Sequence, residues 1–281
     1  MKIGVNLFGL NKQLKEDFDS TILKLKEMGY SSAEPLVIFE NKDVELSDCA
    51  EELIRKWNAD GSMWMADTAA EKIRHIREMG VEVPGIHAGT FPVALSPAAE
   101  QIKQFALENN LSYCVFSPQT KTPDEAEKFC EELKEAVKVF EDAGIELLLH
   151  NHDAEIKREN GRNTLDYIME QIPDIRLQLD VGWVKAAGEN VTEMMRSYGE
   201  RIAILHFKDM VESGQEENGG YNFTALGDGI LPLEEILKES KTLHLMETGH
   251  IMDQDSSLGD MMEDLKKSAD RLCAGIKREE C

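Results

Sequence analysis

Apolar residues along the chain alternate between two spacings. Short β-rich runs begin near Lys2 (KIGVNLF), Tyr30 (YSSAEPL), Pro84 (PGIHAGTF), Tyr113 (YCVFSP), Ile145 (IELLLHNH), Ile175 (IRLQLDVGW), Ile202 (IAILHFKD) and Thr242 (TLHLMETGH). Between them, apolar positions recur every three or four residues, the period of a one-sided helix. Phe129, Leu133, Val137 and Phe140 are one such face; Leu258, Met261, Met262, Leu265, Ala269 and Leu272 are another. Gly29, Gly80 and Gly144 each follow a helical run and precede a strand, where a left-handed C-cap belongs. Pro97 and Pro123 sit where first helical turns start.

Successive strand starts lie 28, 54, 29, 32, 30, 27 and 40 residues apart. A parallel crossover needs roughly 30 residues, because a helix must carry the chain back across the sheet. The two longer intervals hold insertions near Asn41 to Met65 and Met210 to Leu231; Val211 to Leu231 reads as a lid-like loop. Eight strand–helix units predict an α/β fold, a single (β/α)8 barrel domain over residues 1–281. A doubly wound sheet would want a glycine-rich phosphate turn after the first strand. Phe8-Gly9-Leu10-Asn11 is not one.

Charge removes several function classes. The 281 residues carry a formal net charge of −23 and no dense basic patch. Nucleic acid and anionic membrane surfaces are therefore poor partners. No apolar run reaches the ~18 residues of a span, and Met1-Lys2-Ile3-Gly4 does not open a signal peptide. Five scattered cysteines without a CxxC pair read as reduced thiols, so a cytoplasmic location is expected.

Barrel strands alternate inward and outward, and chemistry collects at their C-terminal ends. If Leu205 and Phe207 face the helices, then Ile204, His206 and Lys208 face inward. The same phase selects Leu148, His150 and His152, then Gln178 and Asp180, then Leu243, Leu245 and Glu247; earlier strands offer Glu34 and His87. Unpaired, such groups would cost kilocalories each to bury. A cation shared by His150, Asp180, His206 and Glu247 is one solution, and the donor set suits Mn, Co, Mg or Zn. His75 and His244 read as structural or surface residues, and Trp57 and Trp64 as packing. Trp183 is a candidate platform for a sugar face.

The segments LLLHNHD, LQLDVGWVKAAG, GERIAILHFKDM, ALGDGILPLEEIL and HLMETGH, in this order, resemble the xylose-isomerase-like barrel family. That family includes sugar phosphate isomerases and epimerases, inosose dehydratases and endonuclease barrels. The resemblance implies a divalent metal held by a strand-five Glu, a strand-six Asp, a strand-seven His and a strand-eight Glu. The last three fall on Asp180, His206 and Glu247; the first falls on His150, a departure that tells against a symmetric two-glutamate epimerase. A common DxxH pair is altered to Asp180 and Trp183. The many ligands of the three-metal endonucleases are missing.

The resemblance thus implies a metal-dependent isomerase or epimerase acting on a sugar or cyclitol α-hydroxy-carbonyl through an enediolate. Glu247 would be the base, with His152 or Lys208 relaying protons. Glu34, His87, Trp183 and Asp209 would contact or orient substrate. A dehydratase sharing the first half-reaction, and a non-catalytic sugar-binding barrel, remain alternatives. Barrels of this kind often pair, so a homodimer is a candidate state.

Overall fold

The computed structural model describes residues 3–40, 61–91, 95–159, 161–213, 220–243, 245, 250–254 and 258–279. Its strands are β1 (Ile3–Asn6), β2 (Tyr30–Glu34), β3 (Leu36–Glu40), β4 (Met63–Met65), β5 (Gly85–Phe91), β6 (Tyr113–Phe116), β7 (Glu146–His150), β8 (Arg176–Asp180), β9 (Ile202–Phe207), β10 (Asp209–Glu212), β11 (Tyr221–Thr224) and β12 (His250–Met252). Ten of them form one parallel sheet in the order β2-β1-β12-β9-β8-β7-β6-β5-β3-β4, while β10 and β11 make a separate antiparallel hairpin.

The sheet curls into a ring at Pro35. Proline has no N–H to donate, and here it divides the second expected strand into β2, which pairs with β1, and β3, which pairs with β5. Backbone bonds Ala33 N to Glu82 O (2.8 Å), Glu82 N to Ser31 O (2.9 Å) and His87 N to Pro35 O (2.9 Å) stitch this bent strand to the chain entering and forming β5. The α/β barrel expected from the strand–helix repeats is therefore the fold.

Alternation along the strands sorts the core into two layers. Tyr113, Val115, Leu148, Ala203, Ile204 and Ile251 fill the inside of the barrel. Cys114, Leu147, Leu149, Leu177, Leu179, Leu205 and Phe207 point outward, packing with helix residues such as Ile73, Ile102, Leu133, Leu165 and Ile168. Each such fully buried aliphatic side chain contributes about 1.5–3 kcal/mol. The inward phase assigned to Ile204, His206 and Lys208 is the observed one.

Helix ends follow the local chemistry. Thr122 and Glu125 form a capping box ahead of Pro123, the first residue of helix Pro123–Phe140. Pro97 lies in the first turn of helix Leu95–Glu108. Gly29, Gly80 and Gly144 have φ of +103°, +80° and +69°, as left-handed caps require.

Three expectations are corrected. Thr242 does not start a strand: it ends helix Leu233–Thr242, whose last turn Leu243 N continues by bonding to Glu239 O. The eighth strand is β12, which pairs with β1 and β9 from His250 to Met252. Leu258 lies outside helix Met261–Glu279 and is 57% exposed. The second insertion is not one loop, since β10 and β11 form a hairpin inside it.

Candidate metal centre and barrel mouth

His150 ends β7, Asp180 ends β8 and His206 lies one residue before the end of β9. Neighbouring parallel strands place these ends side by side: Asp180 pairs with His206 in the β8–β9 register. The three side chains are buried, and one ligand atom from each lies within 4.8 Å of the others. His150 Nε2 and His206 Nδ1 are each 3.8 Å from Asp180 Oδ2, and the two Nδ1 atoms are 3.2 Å apart.

Asp180 gives the chemical test of fit. Its Oδ1 accepts from the Trp183 backbone N–H at 2.8 Å, capping helix Val181–Ala186. Its Oδ2 is buried without a hydrogen-bond partner and faces the two imidazoles. Burial pushes its carboxyl up to about 8, against the opposing charge of Lys208. His150 is held well below the ordinary imidazole range by burial and by the charges of His206, His87, His152 and Lys208. A buried acceptor beside two buried imidazoles is a donor set matched to a divalent cation, and Asn151 holds the Asp180 backbone in place through two hydrogen bonds of 2.9 and 3.2 Å.

Behind the trio lies a buried polar chain. Glu34 Oε1 accepts from Asn6 Nδ2 (3.1 Å) and lies 3.7 Å from His87 Nδ1. Glu34 Oε2 accepts from the Tyr113 hydroxyl (2.9 Å) and from Gln178 Nε2 (2.8 Å). Gln178 Oε1 in turn lies 2.9 Å from His150 Nδ1. Burial favours the neutral form of Glu34. The hydrogen bond and charge of His87, the charge of His206 and the Tyr113 hydroxyl outweigh it and hold the carboxyl below its ordinary value.

On the other side of His206 stands an ion pair. Lys208 Nζ is 2.6 Å from Asp253 Oδ2, which is also 3.8 Å from His206 Nε2. Asp253 Oδ1 is buried without a hydrogen-bond partner. The ammonium lies 5.1 Å from the Trp183 ring centroid and 4.5 Å from that of Phe223, which β11 brings over the mouth. Trp183 and Phe223 meet edge to face at 5.7 Å. His152 packs on Trp183 at 6.0 Å and on His150 at 5.0 Å, and burial with the charges of Lys208 and His87 lowers it to about 4.

The structure thus brings together His150, Asp180, His206, His152, Lys208, Trp183 and His87, the last hydrogen-bonded to Ser117 Oγ at 2.9 Å. Glu247, like Trp57 and His244, lies outside the described residues. The carboxylate at the end of the observed eighth strand is Asp253, six residues later. Two of the expected substrate contacts, Glu34 and Asp209, are engaged by protein groups in this structure. Glu34 is fully buried with both oxygens engaged, as above. Asp209 accepts four backbone N–H groups, from Met210, Gly227, Gly229 and Leu231, and so ties down the hairpin. His75 sits on the surface against Asp19 at 2.7 Å, and Trp64 is packed in the core with its Nε1 donating to Gly61 O.

Sequence reasoning missed Asp253, Phe223 and the supporting roles of Gln178, Tyr113 and Asn6. Gln178 had a usable signal, since it shares the inward phase of Asp180. Asp253 had none: a three-residue strand is too short to show alternation.

No curated protein matches the chain. Among solved structures, a sugar phosphate isomerase/epimerase from Parabacteroides distasonis has a TM-score of 0.71 at 18% identity, with 97% of this chain and 96% of that chain covered. The probable 3-DHS dehydratase AsbF of Bacillus anthracis has a TM-score of 0.64 at 14% identity, covering 97% and 99%. The IOLI protein, whose structure holds a zinc atom, has a TM-score of 0.64 at 15% identity, covering 99% of each chain. These likenesses are of fold. The xylose isomerase-like TIM barrel model matches residues 22–243, from within helix Phe18–Glu27 to just past helix Leu233–Thr242, and the chain belongs to that family.

Proposed function

We propose that the protein is a divalent-metal-dependent isomerase or epimerase of a sugar-like α-hydroxy-carbonyl compound. The observation that carries this reading is the buried trio His150, Asp180 and His206, with Asp180 Oδ2 facing both imidazoles and accepting no hydrogen bond. These three side chains would hold the ion, with Asp253 beside them at the end of the eighth strand. A bound divalent cation supplies Lewis-acid polarisation of a carbonyl and its neighbouring hydroxyl.

The remaining work falls to the chain's own groups. Asp253 is the described carboxylate placed to take a proton from the carbon beside a carbonyl held over the trio, with its Oδ2 paired to Lys208 Nζ at 2.6 Å. Lys208 donates to oxygen as negative charge develops there. His152 is neutral near pH 7 and relays a proton on the opposite side, its Nδ1 4.0 Å from Glu155 Oε2. Trp183 and Phe223 offer apolar surface for a sugar ring and, with the hairpin, exclude water. With a carboxylate, Asp253, and an imidazole, His152, in these roles, the two proton-transfer groups are chemically unlike. That favours a reaction with one preferred direction of proton abstraction.

The dehydratase among the structural neighbours supports a second reading, in which the same abstraction is followed by loss of a β-hydroxyl as water. A panel of ketoses, keto-sugars and inososes in D₂O tests both. Chelator-treated protein reloaded with Mn, Co, Mg or Zn is expected to place deuterium on the carbon beside the carbonyl. Removing the metal, or the Asp253→Asn change, should suppress this by at least ~100-fold. Mass loss of one water moves the assignment to dehydration. Binding of sugars without any exchange in the metal-loaded protein would contradict an enzyme.

A further inference from the structure

We infer that Gln178, oriented by Glu34, is the positioning residue that decides which ring nitrogen of His150 faces the metal. The inference rests on the proposed metal site and adds to it a determinant two side chains removed.

The logic runs inward from the backbone. Asn6 Oδ1 accepts from the Phe8 backbone N–H at 2.8 Å, so its Nδ2 is the group that donates to Glu34 Oε1. The Tyr113 hydroxyl donates to Glu34 Oε2. Glu34 is thus ringed by donors and has only acceptors to offer in return. Gln178 must present its NH₂ to this carboxylate, because a flipped amide would set two oxygens 2.8 Å apart. Its Oε1 is then fixed 2.9 Å from His150 Nδ1. An amide oxygen accepts only, so His150 carries its proton on Nδ1. His206 Nδ1 lies 3.2 Å from the same atom.

A neutral imidazole has one lone pair on nitrogen. With Nδ1 protonated, it lies on Nε2, the atom 3.8 Å from Asp180 Oδ2. Turning Gln178 over would protonate Nε2 and point an N–H at the site. A carboxylate at position 150 has two equivalent oxygens and no such choice to make. Gln178 and Glu34 therefore answer a problem that the histidine itself creates.

The test uses full-length protein with zinc as the probe. Long-range ¹H–¹⁵N spectra of histidine-labelled, metal-free protein report which nitrogen of each ring carries hydrogen. His150 is expected with Nδ1 protonated, and Gln178→Leu is expected to give a mixture of tautomers with zinc affinity about 10–100-fold weaker. Glu34→Gln frees the amide to turn and should move the tautomer signal the same way, with a smaller loss of affinity. That variant and the wild-type spectrum decide the matter if Gln178→Leu fails to unfold cooperatively. A wild-type His150 protonated on Nε2, or variants that keep both the wild-type tautomer and zinc affinity, would overturn the inference. Failure of zinc to bind the wild type would instead strike the proposed function, and the metal-free spectra would still judge Gln178.

Discussion

At the scale of single residues, Asp180 is where burial and chemistry conflict most. The native, metal-free protein holds its carboxyl at about 8, above the ordinary 3.8, because burial disfavours the charge. Folded protein therefore keeps a proton that the unfolded chain releases as pH rises between these values. Stability from this group is complete below the ordinary value and falls through that window, by up to about 1.4 kcal/mol per pH unit. His150 and His152, held neutral by burial, act the opposite way as pH falls below the ordinary imidazole value. Comparing metal-free wild type with Asp180→Asn by thermal unfolding isolates the Asp180 contribution: the variant should lose less stability between pH 5 and 8. A metal must displace that same proton, so its apparent affinity should climb about tenfold per pH unit until near pH 8 and then level off. An affinity independent of pH would mean the ion does not meet Asp180.

Lys208 and Asp253 make a second residue-scale prediction. Both are buried and 2.6 Å apart, so removing one strands the other. Lys208→Met should cost about 3–5 kcal/mol of stability, whereas Asp253→Asn keeps a hydrogen-bonding amide beside the lysine and should cost less while abolishing isotope exchange. Chemical denaturation of both variants checks the order.

Among elements, the barrel mouth depends on two close approaches. A Cβ at Gly182 would lie 2.1 Å from the Lys208 carbonyl oxygen, so helix Val181–Ala186 rests directly on the chain leaving β9. Gly182→Ala should push that helix, with Trp183 and the Asp180 cap, away from Lys208 at a cost of about 1–3 kcal/mol. Asp209 is the other point: four backbone N–H groups converge on it, and Gly229 leaves room for its carboxylate. Asp209→Ala should strand those donors at about 1–3 kcal/mol for each one left buried without a partner. Amide exchange should then rise in β10 and β11 well before it rises in β7 or β8. Unchanged protection of the hairpin would show that Asp209 is dispensable there.

At the scale of the whole molecule, the barrel was legible because its signal repeats. Seven strands announced themselves by β-rich runs, all but one of the intervals between them about thirty residues, and inward phase in the best of them led to His150, Asp180 and His206. The eighth strand was not legible for the same reason. Leu243 and Leu245 mimic alternation although the helix runs to Thr242, while β12 shows only three residues. Glu247 was read from that expected strand and lies outside the described residues. The polar chain from Asn6 and Tyr113 through Glu34 to Gln178 links residues as far as 144 positions apart, so no local pattern could reveal it. At this scale the net charge of −23 sets an expectation of poor nucleic-acid binding, and no helix among the described residues is long and apolar enough to cross a membrane.

All of this converges on one ion position. Anomalous diffraction from crystals of the metal-free protein soaked in manganese or zinc locates it directly. The account predicts a single strong peak at the barrel mouth, about 2.0–2.3 Å from a nitrogen of His150, a nitrogen of His206 and an oxygen of Asp180. A peak elsewhere, or none at a concentration that loads the protein in solution, would contradict it.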